Sequence, residues 1–63
     1  MQRARLITSL REDAAKQGRK LVVDMSKGKG SHAKVSVGGA FTFIPDRDID
    51  PKTESKIRKT LGL

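Results

Sequence analysis

The stretch Ser26-Lys27-Gly28-Lys29-Gly30-Ser31-His32-Ala33-Lys34 concentrates the chain's chemistry. It holds three lysines, two glycines, two serine hydroxyls and the single histidine of the sequence. Gly28 and Gly30 let the backbone take positive φ angles and come close to a ligand. Successive backbone N–H groups in such a turn can form an anion-binding nest. Lys27, Lys29 and Lys34 add positive charge that favours phosphate. His32 is of the side-chain type that titrates near neutral pH, which suits a general acid or base. Metal-free cleavage of RNA needs a base for the 2′-OH proton and an acid for the departing 5′-oxygen. One histidine fills one of these roles, or shuttles between both. The residues also have plain readings, as a surface histidine and a solvated Lys/Gly/Ser loop. The run is not a nucleotide-binding P-loop, because the G-x-x-x-x-G-K-[ST] spacing is missing.

The elements that must position this stretch follow from hydrophobic spacing. Residues 3–17 read as an amphipathic helix, with Leu6, Ile7, Leu10 and Ala14 on one face and Gly18 as its C-terminal stop. Leu21 to Met25 reads as a first strand, in which Leu21, Val23 and Met25 share a face. His32 to Val37 reads as a second strand. There Ala33, Val35 and Val37 alternate with His32, Lys34 and Ser36, so that His32 and Lys34 point away from the apolar set. Gly38-Gly39 is a hairpin signal leading into a third strand, Ala40 to Ile44. A two-residue loop leaves Phe41 and Phe43 beside Lys34 and Ser36. A three-residue loop with a bulge turns both rings into the core, which is the commoner fate of phenylalanine and the expectation adopted here.

Pro45 closes the third strand. The Asp46-x-Asp48-x-Asp50 spacing has the look of a calcium loop, but Pro51 stands where glycine is needed and no glutamate closes it. The better reading is a polar loop with Asp50 as helix N-cap and Pro51 at the first helical position. Residues 51–61 form the last helix, with Ile57 and Leu61 inward, Glu54 and Arg58 paired at i, i+4, and Gly62 as its stop. Lys52, Lys56, Arg58 and Lys59 face mostly outward, as a solvated face or as phosphate contacts.

The 63 residues therefore make one domain, 1–63, of the α+β class. Its order is α-β-β-β-α, a three-stranded antiparallel sheet with two helices on one face, the layout of a double-stranded-RNA-binding domain (dsRBD). Its core is thin for its length. There are no cysteines, hence no disulfide framework and no cysteine zinc site. Lys and Arg number 14 against 7 acidic residues, a net charge of +7, which points to nucleic acid or an acidic protein partner. No apolar run approaches the roughly 20 residues of a membrane span. The N-terminal segment, broken by Arg3, Arg5, Arg11, Glu12 and Asp13, is no secretory signal. These features lead us to expect a soluble cytoplasmic protein without metal or cofactor.

Lys29-Gly30-Ser31-His32-x-Lys34, the strand ending Ile44-Pro45, and Thr53-x-x-x-Ile57-Arg58-Lys59-x-Leu61-Gly62-Leu63 together resemble the HicA family of toxin mRNA interferases. The likeness runs over nearly the whole chain. It implies a dsRBD-like fold and an endoribonuclease that cleaves mRNA and so inhibits translation. His32 takes the place of the catalytic histidine, and Lys27, Gly28, Lys29, Gly30, Ser31 and Lys34 make the RNA-phosphate site. It also implies a HicB-like antitoxin covering the active face, in a type II toxin–antitoxin pair. The chain departs from many relatives at Ala33, where they carry a second histidine, and at Pro45-Asp46-Arg47, where they carry Pro-x-His. The resemblance leaves the second proton-transfer group unassigned. A non-catalytic RNA-binding domain using the same basic face is the alternative.

Overall fold

The computed structural model describes residues 1–25 and 32–63. Helix α1 spans Arg3–Lys16, followed by strands β1 (Leu21–Asp24), β2 (Ala33–Val37) and β3 (Ala40–Ile44), and by helix α2 (Pro51–Leu61). The strands form one antiparallel sheet in the order β1-β2-β3.

Helix α1 forms because Leu6, Leu10 and Ala14 recur every fourth residue, giving one apolar stripe, and all three are fully buried. It stops at Gly18, whose φ of +69° suits a residue without a Cβ. The Gly18 N–H donates to Ala15 O at 3.0 Å and the Arg19 N–H to Ala14 O at 2.8 Å. Helix α2 ends on the same pair of bonds: Gly62 (φ +74°) donates to Lys59 O, and Leu63 to Arg58 O. It begins on Asp50, whose side chain accepts the Thr53 N–H at 2.7 Å, with Pro51 in the first turn. That backbone bond lowers the Asp50 carboxyl below its ordinary value.

Leu6, Leu10, Ala14, Leu21, Val35, Val37, Ile44, Ile57 and Leu61 make one core between the helices and a single face of the sheet. Burying each large aliphatic side chain contributes on the order of 1.5–3 kcal/mol. Ile49 also belongs to this core, although it sits among aspartates in the segment read as a polar loop. Its N–H donates to Met1 O at 2.7 Å, which ties the chain before α2 to the start of α1. Arg58 joins the two helices from outside the core. It bonds Glu54 at 3.1 Å, Ser9 at 2.8 Å, and the Asp13 carboxylate. Burial opposes the Arg58 charge, but the Asp13 and Glu54 carboxylates outweigh it and hold the guanidinium protonated more firmly than usual.

Two strand-level expectations need correction. Met25 lies beyond the end of β1 and is 56% exposed, so it does not share the buried face with Leu21 and Val23. The third strand takes the register opposite to the one expected. Val37 pairs with Ala40, Ser36 with Phe41 and Lys34 with Phe43 across a two-residue Gly38-Gly39 turn. Gly38 has φ +61° and Gly39 does not enter positive φ, the requirement of a type II′ hairpin. Ile44 consequently takes the buried position and both phenylalanines face outward.

Candidate nucleic-acid interface

Side chains alternate across a strand, so the residues that are not in the core share the opposite face of the sheet. The register arranges them in two cross-strand rows. Val22 lies opposite Ser36, and Ser36 opposite Phe41. Asp24 lies opposite Lys34, and Lys34 opposite Phe43. His32 immediately precedes β2 and is exposed. Both helices pack on the other face; here Val22, Phe41 and Phe43 are exposed, and Asp24, Lys34 and Ser36 are half-buried.

Phe41 and Phe43 are 51% and 42% exposed. Their ring centroids stand 5.9 Å apart at an interplanar angle of 82°, an edge-to-face pair. The Lys34 ammonium sits 4.6 Å from the Phe41 centroid, within cation–π range. This face therefore presents an ammonium and two rings, with an exposed imidazole at the residue that precedes β2. It can hold a phosphate, contact a base and move a proton.

Of the sequence-derived site residues, Lys34 lies on this face and His32 is exposed immediately before β2. Lys27, Gly28, Lys29, Gly30 and Ser31 lie outside the described residues. Sequence reasoning passed over Asp24. It is one strand across from Lys34, directly opposite it in the ladder. The signal was available, because Asp24 is the polar member of the Leu21–Asp24 alternation. Arg58, left open between solvated and phosphate-binding roles, is committed to the α1–α2 clasp. Lys52, Lys56 and Lys59 are exposed along α2. Lys56 meets the sheet at the β3 edge, in a cleft of about 180 Å³ that it lines with Thr42, Phe43, Thr53, Ile57 and Thr60.

Among the described residues no group of three or more His, Cys, Asp or Glu side chains is placed to hold a metal ion. No described helix is long and apolar enough to cross a membrane. No protein-family model, no curated protein and no solved structure matches this chain.

Proposed function

We propose that this chain is an endoribonuclease acting on mRNA, the toxin of a HicAB-like pair, with His32 as its general acid or base. The reading is supported by the exposure of His32 immediately before β2, two residues from Lys34, whose strand position turns it away from the core. The chemistry requires no metal. A base removes the 2′-OH proton, the 2′-oxygen attacks the adjacent phosphorus, and the 5′-oxygen leaves with a proton. The products are a 2′,3′-cyclic phosphate and a 5′-hydroxyl. His32 serves one proton transfer. Lys34, with Lys27 and Lys29, offsets the charge that builds on the phosphorus oxygens. Asp24 shares the face and is our candidate to orient His32 or to exchange the second proton. A HicB-like antitoxin, more acidic than this +7 chain, would silence the enzyme by covering the same face.

A second reading is favoured by Phe41 and Phe43, which the cleavage scheme does not use: an RNA-binding domain that leaves its RNA intact. The two are separated by incubating a long single-stranded RNA with wild type and with His32→Ala, EDTA present, with both folds checked by circular dichroism. The nuclease reading expects cleavage by wild type and a loss of roughly 100-fold or more in the variant. Intact RNA with both proteins, bound in a salt-sensitive way, leaves only the binding reading.

A further inference from the structure

We propose that Phe41 and Phe43 form a stacking platform for unpaired nucleobases, and that the RNA backbone leaves it over the β3 edge into the cleft of Thr42, Thr53, Lys56 and Thr60. The proposal rests on the RNA-directed reading of this face and deepens it by naming single-stranded RNA as what the face takes.

Burial is the default for large apolar side chains in so small a chain, and the fold forgoes it here. A one-residue change of register would turn both rings inward, and the Gly38-Gly39 turn holds the register that keeps them out. The rings sit on a strand of the sheet, not on a loop, and their edge-to-face packing holds them in place before any ligand arrives. Cations flank them on both sides. Lys34 lies over Phe41, and Lys56 shares the β3-edge cleft with Phe43. Rings between ammonium groups match a ligand that alternates flat π faces with negative charges, which is a single nucleic-acid strand. Thr42 in the cleft supplies a hydroxyl suited to a phosphate oxygen, while the Thr53 and Thr60 hydroxyls donate to the Asp50 carboxylate and to Lys56 O. A duplex keeps its base faces inside its own stack, so the platform admits only unpaired bases.

The test is binding, measured by fluorescence anisotropy on a His32→Ala background so that no RNA is consumed. The probes are a labelled oligouridylate, the same oligomer with abasic riboses, and a duplex of equal length. Phe41→Ala and Phe43→Ala are each expected to weaken the oligouridylate roughly 5- to 100-fold. The background protein should bind the abasic strand and the duplex more weakly than the oligouridylate, and neither phenylalanine variant should alter its affinity for the abasic strand. Lys56→Ala should weaken both single strands alike. Phe41→Leu keeps apolar bulk but not the ring, and should lose binding while the melting temperature moves by only a few degrees. Equal affinity for abasic and base-bearing strands, or phenylalanine variants that bind as the background does, overturns the proposal. So does sedimentation showing a dimer that Phe41→Ala disperses. A protein that binds as expected while wild type fails to cleave would retire the nuclease reading and leave the platform standing.

Discussion

On one face of the sheet, Leu21, Val35, Val37 and Ile44 are buried beneath the two helices; on the other, Val22, Phe41 and Phe43 are exposed beside Lys34 and His32. The same strands make both faces, and the period-2 alternation decides which residue goes where. Two helices suffice to cover one side of a three-stranded antiparallel sheet, and no helix among the described residues packs on the second side. A chain selected only for folding would make that second side polar. Aromatic rings and cations there carry no part of the core. The contrast therefore separates residues that hold the fold from residues available to act on a ligand.

The comparison can be broken or sharpened by substitution. The largest effect is expected on the covered face. Ile44→Ala should cost about 2–5 kcal/mol through lost burial and a cavity, enough to leave much of so small a domain unfolded at 37 °C by circular dichroism. Its pair neighbour in the sequence pattern, Phe43, behaves oppositely. Phe43→Ala forfeits a ring contact on the open face, about 0.5–1 kcal/mol, and the melting temperature should move by only a few degrees while RNA binding falls. A Phe43 variant as unstable as the Ile44 one would erase the distinction between the faces.

Between these lies Arg58. Arg58→Met removes three side-chain hydrogen bonds and leaves the Asp13 and Glu54 carboxylates without their shared cation. The expected loss is about 1–3 kcal/mol in thermal melts, with affinity for RNA unchanged. Weakened RNA binding at an unaltered melting temperature would instead place Arg58 in the interface.

The smallest effect concerns pH. Asp50 has its carboxyl lowered by the Thr53 N–H, so its contribution to stability is present above its unfolded pKa of 3.8 and is lost as pH falls through the lower, folded value. Asp50→Asn keeps a capping oxygen but cannot titrate. Wild type should exceed the variant in melting temperature at neutral pH, and the difference should shrink below pH 3.8. A difference constant across that range would mean that the Asp50 charge contributes nothing to the cap.

Much of this was legible in the residues themselves. Helix α2 lies between the boundaries that Asp50-Pro51 and Gly62 announce, and α1 ends within one residue of the expected place. These signals are local, since a cap or a stop is written in the residues that form it. The register of β3 was not legible, because Gly38-Gly39 admits two hairpin lengths and hydrophobicity alone draws both rings inward. Only the competition with Ile44 for the buried positions resolves it, and that competition is a property of the whole sheet. Ile49 was hidden by the aspartates on either side, although a lone aliphatic residue between two prolines is itself a signal of burial. The pairing of Arg58 with Asp13 spans 45 residues, and sequence spacing alone could supply only its i, i+4 bond to Glu54. Of the candidate site, the outward side of Lys34 followed from alternation, whereas the presence of the rings beside it depended on the register.

One measurement addresses the division between the faces most directly. Backbone amide shifts of the isotope-labelled protein would be followed by NMR while a short RNA, made uncleavable by 2′-deoxy substitution, is titrated in. The account predicts shifts concentrated at Val22, Asp24, His32, Lys34, Ser36, Phe41 and Phe43, and along the β3 edge to Lys56. Shifts confined to the outer surfaces of α1 and α2, or no shifts at all, would contradict it.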